Sequence, residues 1–203
     1  MSDIVTGPDG QPRCRWCAGG QELLDYHDTE WGFPVQEDSR LFEKLSLEGF
    51  QSGLSWRTIL VKRDNFREAF DHFDFNKIAR YTDHDVERLL QNEGIIRHRG
   101  KIEAVLNNAR LAQAIVERDG SLAAYIWRFE PDKDKLAPPR TVTTSPESVA
   151  LSKALKKQGW KFVGPTTMYA FMQSMGLIND HPEECVIRSK VERARELFKR
   201  PGR

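Results

Sequence analysis

Amphipathic helical patterns run through most of this sequence and constrain what it can fold into. The clearest begins at Ile102, where apolar residues recur at steps of three and four until the pattern stops at "RDG". Such spacing places apolar side chains on one face of a helix, and a following glycine is a common helix stop. The apolar positions of this pattern are Ile102, Val105, Leu106, Ala109, Ala112 and Val116.

Other segments show the same kind of pattern, with Ser, Asp or Pro at the start and Gly at or near the end. They are "DSRLFEKLSLEGF", "DHDVERLLQNEG", "SPESVALSKALKKQG" and "GPTTMYAFMQSMG". No segment alternates convincingly between apolar and polar residues, as a half-buried strand does. The sequence therefore predicts an all-α fold.

The length and composition favour one soluble globular unit. A chain of 203 residues is long enough for a substantial core, and "EPDKDKLAPPRTVTTSP" is typical of a surface connection within a domain. No apolar run approaches the ~18 residues of a membrane span, and the start of the chain lacks the features of a signal peptide. An odd number of cysteines favours thiols or metal ligands over disulfides. We expect a cytoplasmic protein.

The charge is nearly balanced, with a net value of +1 at pH 7. Seven basic and two acidic residues are concentrated between Arg188 and Arg203. Any binding to a polyanion must then use local patches, because the chain as a whole has no strong field.

Cysteine and histidine occur at metal-ligand spacing near both ends of the sequence. His181 and Cys185 stand in "NDHPEEC", Cys14 and Cys17 stand in "RCRWC", and His27 stands in "DYHDTEWG". Two ligands do not make a structural zinc site, whereas four protein ligands close one and leave no position for a water nucleophile. The alternative is that His181 caps a helix end and Cys185 is a small buried apolar residue.

A basic turn, "NEGIIRHRGKIEAV", separates two of the predicted helices. A tight hairpin followed by a helix directs backbone N–H groups into one concavity, which suits a phosphate oxygen. An ordinary helical hairpin with a solvated basic loop is an equally good interpretation. The candidate phosphate-binding residues are Gly94, Arg97, His98, Arg99, Gly100 and Lys101.

Large aromatic residues and one carboxylate cluster in the first third of the chain. The rings are Trp16, Tyr26, Trp31 and Trp56. Such rings are most often core residues. Glu48 is different, because it falls on the apolar positions of its predicted helix, and an isolated buried charge is very costly. Glu48 therefore needs a partner or a ligand, unless it points to solvent.

Taken together, these motifs resemble the 3-methyladenine DNA glycosylase I family of the helix-hairpin-helix superfamily. The resemblance extends from about Cys14 to Cys185. Its carriers, in the order and at spacings compatible with the family, are "YHDTEWG", "LEGFQSGLSW", "GIIRHRGKI", "LSKALKKQGWKFVG" and "GLINDH".

The resemblance implies a fold and a metal. The fold is a helical helix-hairpin-helix domain over residues 35–170, with a small zinc-binding lobe formed by residues 1–34 and 171–203. One structural zinc ion per chain would be held by Cys14, His27, His181 and Cys185. Cys17 is left over, although the sequence alone does not exclude it as a ligand in place of Cys14.

The resemblance also implies an activity: a monofunctional DNA glycosylase, without lyase activity, that flips out and excises 3-methyladenine by hydrolysis of the N-glycosidic bond. Its catalytic residues fall on Glu48 and Tyr26, and Trp56, Trp16 and Trp31 form the base-binding walls. Glu48 should favour the exocyclic amine of adenine, which donates, over the carbonyl oxygen of guanine, which accepts. No catalytic aspartate is assigned. The nearest aspartate beyond the second helix of the hairpin is Asp119, in an apparent turn.

The implied partners are double-stranded DNA that contains alkylated bases and free 3-methyladenine as the product, with a monomeric protein and no membrane. A non-catalytic helix-hairpin-helix DNA-binding protein is the main alternative, and a zinc-dependent hydrolase is a third hypothesis. Two features depart from the family. Leu23 stands where relatives often carry an aromatic residue, and the basic tail is longer than expected. We interpret the tail as a solvated terminus rather than as a helix lying along DNA.

Overall fold

The computed structural model describes residues 3–202, and α-helices account for most of them. The α-helices are α1 Gln21–Thr29, α2 Asp38–Gln51, α3 Trp56–Val61, α4 Arg63–Ala69, α5 Phe75–Ile78, α6 Asp83–Leu90, α7 Arg99–Asp119, α8 Leu122–Ile126, α9 Pro146–Lys157, α10 Pro165–Ser174 and α11 Arg188–Leu197. Short 3-10 helices lie at Arg15–Gly19, Asp71–Phe73, Trp127–Phe129 and Lys133–Lys135. The prediction of a mainly helical fold is confirmed.

The helices expected from periodicity are α2, α6, α7, α9 and α10, and their ends follow from local chemistry. The Ser145 side chain accepts from the backbone N–H of Ser148 at the start of α9, with Pro146 at the first helical position. Gly120 ends α7 with φ of 87°. An L-residue with a side chain rarely adopts that conformation, so glycine stops the helix there.

Two short strands contradict the expectation that no strand would form. β1 Ile4–Thr6 pairs antiparallel with β2 Pro12–Cys14, in a register that places Ile4 opposite Cys14. Three residues per strand are too few for an alternating pattern to be recognised in the sequence. The hairpin ends at Cys14, so it fixes the position of that thiol beside α1.

The buried apolar residues form a large and a small cluster. The large cluster unites α2 to α10 and the connections between them, with Phe42, Phe70 and Trp127 among its buried rings. The small cluster joins both ends of the chain; its buried members are Cys14, Leu23, Tyr26, Trp31, Leu60, Cys185, Ile187 and Val191. Trp56 packs against both clusters. The domain division near residues 35 and 170 stays a prediction.

The basic tail is a packed helix, so the interpretation as a solvated terminus was wrong. Val191 of α11 is fully buried in the small cluster. Arg195 forms an ion pair of 3.1 Å with Glu130, and Arg200 forms one of 2.7 Å with the same carboxylate. The ring of Phe198 lies 4.6 Å from that of Trp127. The high content of charged residues gave no clear apolar pattern from which this helix could be predicted. A few apolar contacts and the shared Glu130 carboxylate hold it against the rest of the protein.

The "EPDKDKLAPPRTVTTSP" stretch forms the predicted surface connection, largely exposed and containing only a short 3-10 turn before α9 begins at Pro146. Within residues 3–202, none of the helices combines the length and the apolar character that crossing a bilayer requires.

Candidate active site and metal site

A pocket of about 390 Å³ opens between the small cluster and the large one. The 3-10 helix Arg15–Gly19 contributes one wall, α1 and α2 contribute the floor, and α3 and α10 contribute the remaining sides. The pocket is lined by Trp16, Leu23, Tyr26, Trp31, Glu48, Gln51, Ser55, Trp56, Arg57, Arg140, Ala170 and Gln173. The structure thus brings together all the aromatic residues singled out from the sequence, with Glu48 among them.

The aromatic walls pack against one another edge-on or tilted. The ring centroids of Trp16 and Trp31 are 5.2 Å apart, and those of Tyr26 and Trp56 are 5.4 Å apart. These spacings are typical of favourable aromatic pairs, which position each ring through its neighbours. Leu23 lines the same pocket, so the aliphatic residue noted in the sequence does form part of a wall.

Glu48 is buried, with 6% of the residue exposed. It lies on the face of α2 that also buries Leu41 and Leu45, as its place in the apolar pattern suggested. Its ion-pair partner is Lys44, one turn earlier on α2, with 3.5 Å between Nζ and Oε1. Sequence reasoning missed Lys44. The available signal was a lysine four residues before a carboxylate on the same apolar face.

Lys44 also contacts the aromatic walls. Its ammonium donates a hydrogen bond to the Tyr26 hydroxyl and lies 3.4 Å from the centroid of the Trp56 ring. Burial lowers the pKa of Lys44 to about 8, and Glu48 opposes that shift. Burial raises the pKa of Glu48, and Lys44 opposes that shift in turn. Burial also raises the pKa of Tyr26 well above its ordinary value, which keeps the phenol protonated.

A cluster of two cysteines and two histidines lies behind the pocket. The candidate ligand atoms of Cys14, His27, His181 and Cys185 all lie within 4.8 Å of one another, and all four residues are buried. The Nε2 atom of His27 is 3.5 Å from the Cys185 sulfur. The buried Nε2 atom of His181 has no hydrogen-bond partner among the described residues. This donor set and its convergence fit a tetrahedral metal ion.

Each histidine of the cluster is oriented by its second ring nitrogen. Nδ1 of His27 is 2.8 Å from Asp28, and Nδ1 of His181 is 2.9 Å from the amide oxygen of Asn179. Arg13 in turn contacts the Asp28 carboxylate at 2.9 Å. Burial lowers the pKa of His181 to about 4, so its ring is neutral near pH 7 and can act as a ligand. Such supporting hydrogen bonds are characteristic of metal-binding histidines.

Cys14, rather than Cys17, belongs to this cluster. Cys17 is buried too, but it lies outside the convergent group. Burial raises the pKa of the Cys17 thiol to about 11, which keeps it protonated. The Cys14 thiol donates to Cys185, and this hydrogen bond lowers the pKa of Cys185. Of the two cysteines that the sequence left open, only Cys14 lies in the convergent group, and its role as a metal ligand stays a prediction.

The basic hairpin lies between α6 and α7, and the sequence placed it correctly. The His98 ring caps α7 by accepting from the backbone N–H of Lys101 at 3.1 Å. Arg99 pairs with Glu87 at 2.5 Å, and Arg97 lies 4.0 Å from Glu93. The backbone N–H of Gly94 donates to Asn92 at 2.8 Å. Gly100 lies in the first turn of α7.

Lys101 is not a surface cation, which corrects the expectation that its charge faces a phosphate. Its ammonium donates to the carbonyl oxygens of Phe50 at 2.9 Å and Ser52 at 2.7 Å. These carbonyls lie at the end of α2, where backbone acceptors lack partners within the helix. Lys101 therefore ties α7 to the end of α2 and to the loop that leads to the base pocket.

Asp119 lies at the far end of α7 and is occupied by ion pairs, at 2.6 Å with Arg118 and 2.8 Å with Arg128. It does not line the pocket. A polar residue that sequence reasoning missed is Arg140, which lines the pocket and lies 3.7 Å from the buried carboxylate of Asp180. A surface connection gave no signal that one of its arginines would line the pocket.

The sequence and the fold of this chain are similar to those of known methyladenine glycosylases. A family model described as methyladenine glycosylase matches residues 16–189. The chain is 48% identical over 177 residues to the DNA-3-methyladenine glycosylase of Haemophilus influenzae, covering 85% of this chain and 96% of that protein. A crystal structure of a 3-methyladenine DNA glycosylase I has a TM-score of 0.80 and 47% identity, covering 86% of this chain and 98% of its own.

A second similar structure is a single-residue variant of a 3-methyladenine DNA glycosylase I in complex with 3-methyladenine. It has a TM-score of 0.79 and 35% identity, covering 85% of this chain and 96% of its own. Both matches therefore span nearly the whole length of those two chains.

Proposed function

This chain belongs to the methyladenine glycosylase family, and we propose that its aromatic pocket binds the 3-methyladenine base that the enzyme excises from alkylated DNA. The observation that carries this assignment is a buried carboxylate, Glu48, in a pocket that is also lined by four aromatic rings. The reaction is hydrolysis of the N-glycosidic bond of a nucleotide that has been flipped out of the duplex, because a base cannot be excised inside the stack.

The chemistry of the lesion reduces what the protein must supply. Methylation at N3 gives the base a positive charge within the nucleotide, so it is already a good leaving group. The enzyme then has mainly to bind the departing base and orient it. Trp16 and Trp56 offer ring faces and edges to the base, and stacking of this kind contributes ~1–3 kcal/mol per base.

Glu48 supplies the selectivity in this proposal. A carboxylate accepts a hydrogen bond from the exocyclic amine of adenine and repels the carbonyl oxygen that guanine carries at the same position. Tyr26 is held by the Lys44 ammonium and lines the same pocket, so its protonated hydroxyl is fixed beside Glu48. Neither residue is needed as a general base, since the charged lesion leaves without one.

We further propose that Cys14, His27, His181 and Cys185 hold one structural zinc ion. The buried, convergent sulfur and imidazole donors and the unpartnered Nε2 of His181 support this choice. Four protein ligands leave no coordination position for a water molecule, so the ion supplies stability and no chemistry at the glycosidic bond. It would join β2, α1 and the segment before α11. Cytoplasmic location and the monomeric state stay predictions.

The DNA backbone is proposed to contact the hairpin at the start of α7. Residues Arg99 and Gly100 occupy the first turn, whose backbone N–H groups have no acceptors within the helix. A phosphate at that position is also favoured by the helix dipole. Arg97 and Arg99 are half-exposed and add positive charge. Lys101 contributes through its tie to α2 rather than through its charge.

Release of labelled base from methylated duplex DNA tests the assignment. Wild-type protein should release 3-methyladenine, and the Glu48→Gln variant should release it more slowly while still binding undamaged duplex. Chelation distinguishes the zinc-dependent hydrolase hypothesis, which predicts lost activity in a folded protein. A structural ion predicts that unfolding and inactivation occur together. Duplex binding without release of any base would favour the non-catalytic DNA-binding alternative.

A further inference from the structure

Lys44 places a positive charge directly behind the base pocket. The residue is 5% exposed, and its ammonium lies between the Glu48 carboxylate, the Tyr26 hydroxyl and the face of the Trp56 ring. It does not line the pocket itself. All three of its partners do. Lys44 is therefore in contact with the base-binding residues without being available to touch the base.

A buried lysine at this position is not explained by stability. Removing an ammonium group from water is costly, and apolar residues of similar volume often stabilise a protein more than a buried ion pair does. α2 is otherwise apolar on this face, since Leu41, Leu45 and Leu47 are buried around it. The burial of Lys44 next to Glu48 therefore points to a role in the pocket.

The other charged groups around Glu48 are either neutral at pH 7 or already paired. Tyr26 faces this region from α1, Glu30 from the residue that follows α1, Arg57 from α3, Arg63 from α4 and Arg140 from the connection before α9. Arg40 and Glu43 of α2 and Arg67 of α4 lie there too. Arg67 is paired with Glu43 at 2.8 Å, and Arg40 with Glu37 at 3.9 Å. Arg63 is paired with Glu30 at 2.7 Å, Arg57 with Glu22, and Arg140 with Asp180 at 3.7 Å. From α10 the pocket receives Ala170 and Gln173, which carry no charge.

Building on the proposed function, we propose that Lys44 is a positioning residue: its ammonium holds the Glu48 carboxylate charged and fixed in the pocket, so that the site selects a base edge that donates a hydrogen bond. A protonated Glu48 would itself be a donor and would lose the preference for an amine. Lys44 acts through Glu48 and the rings, without contact to the base.

The direction of the pH effect follows from the ion pair. Burial raises the pKa of Glu48, and Lys44 is the neighbour that lowers it. Base affinity should be present where Glu48 is ionised and should be lost as the pH falls through its pKa. Removing the Lys44 charge leaves burial unopposed, so the loss of affinity should begin at a higher pH. Lys44 itself has a pKa of about 8, which marks the upper end of the useful range.

The test compares Lys44→Met, Glu48→Gln and the double variant with wild type. Free 3-methyladenine is titrated into each full-length protein from pH 4.5 to about 8, with tryptophan fluorescence as the readout. Protonation of the ligand is the same in every series, so differences between proteins report on the protein. Lys77→Met, which removes an exposed lysine charge on α5, is the matched control.

In Lys44→Met, the acid limb of 3-methyladenine binding, which is the pH range where affinity is lost as the pH falls, should move upward by about one pH unit. This corresponds to roughly tenfold weaker binding within that range. In the Glu48→Gln background the same substitution should change affinity little, because the group it acts through is gone. Lys77→Met should behave as wild type. A thermal melt checks that each variant is folded. Lys44→Met leaves the buried Glu48 carboxylate without its counter-charge and should melt below wild type, whereas the double variant removes both charges and should recover stability.

Two results would overturn the role of Lys44. One is an acid limb that stays in place in Lys44→Met. The other is an equal loss of affinity at every pH that persists in the Glu48→Gln background, which would mark Lys44 as a packing residue for Trp56. Failure of the proposed function is separate, because it would appear in Glu48→Gln alone, as unchanged affinity for 3-methyladenine.

Discussion

Two adjacent residues of α1, Tyr26 and His27, belong to two polar sites of opposite design. His27 faces the cysteine and histidine cluster, whose donor atoms converge on one another and are closed to solvent. Tyr26 faces the base pocket, where Glu48 and its aromatic neighbours line an open volume. The two sites share walls, since the Trp31 ring lies 4.6 Å from His181 and 5.2 Å from Trp16.

The difference shows how buried polar groups can be sorted into structural and binding groups. In the cluster, the candidate ligand atoms face one another, and Nδ1 of each histidine is held by a hydrogen bond, such as that between His27 and Asp28. In the pocket, Glu48 has a counter-charge on one side and open space on the other. A closed donor set stabilises the fold, whereas an open one leaves an acceptor for a ligand. Substitutions should therefore damage stability in one site and affinity in the other.

The largest expected effect comes from Cys14→Ser, which removes a ligand of the closed site. The melting temperature should fall by roughly 10 °C or more, because metal binding is worth several kcal/mol and about 1 kcal/mol shifts Tm by 2–4 °C in a chain of this size. Zinc measured by elemental analysis should be lost in parallel.

The matched control is Cys17→Ser, which changes a buried thiol outside the cluster. It should retain zinc and cost only about 1 kcal/mol. The reverse pattern in these two variants would assign the ligand to Cys17. Purified wild-type protein that contains no zinc would contradict the proposed zinc site itself.

Glu48→Gln should change the open site and leave the closed one intact. Loss of a charge-assisted hydrogen bond costs roughly 1.5–3 kcal/mol, which corresponds to about ten- to a hundredfold weaker binding of free 3-methyladenine. Zinc content should not change, because Glu48 is not a member of the convergent donor group. Calorimetric titration of both proteins with the free base measures the difference. Equal affinities would leave the aromatic rings as the recognition surface.

A milder test of the closed site is Asp28→Asn, which weakens the support of His27 without removing a ligand. Substitutions of this kind typically reduce metal affinity 10–100-fold. Competition with a chromophoric chelator gives the affinity, and base binding should be unaffected. Asp25→Asn, at an exposed position of the same helix, is the control. A metal affinity equal to that of wild type would show that the charge of Asp28 is dispensable to the cluster.

The smallest effect is expected at the hairpin, outside both sites. Arg99→Gln should lower the slope of log K against log salt for undamaged duplex by ~0.9, the value for one phosphate contact. Lys101→Met should leave the slope unchanged and reduce thermal stability, because its ammonium binds two backbone carbonyls. A slope that changes with Lys101 and not with Arg99 would contradict the inward orientation of this lysine.

Local structure followed closely from the sequence. The helix around Ile102 was predicted from a spacing of three and four and a following glycine, and α7 ends at Asp119 with Gly120 in the left-handed region. The two strands could not be predicted, since three residues carry too little pattern. α11 was misread because most of its residues are charged and the few apolar contacts that hold it lie far away in the chain.

The candidate site was predicted residue by residue only where a motif carried it. The resemblance supplied Cys14, His27, His181 and Cys185 as a set, but the order of residues could not decide between Cys14 and Cys17. The tertiary structure favours Cys14, because the β1–β2 hairpin brings Cys14 to the cluster and Cys17 lies outside it. The resemblance also supplied the pocket rings as a group. Arg140 belongs to no such motif and was not predicted.

Thus the sequence by itself determined the helices, their caps and the family, because these depend on spacing along one chain and on motifs read in order. Only the tertiary structure decided which charges are buried together. Lys44 and Lys101 look alike in the sequence as lysines on helices, yet one lies behind the base pocket and the other bridges α7 and α2. Helical period shows which face is buried, but the partner of a buried charge comes from other elements packed against that face.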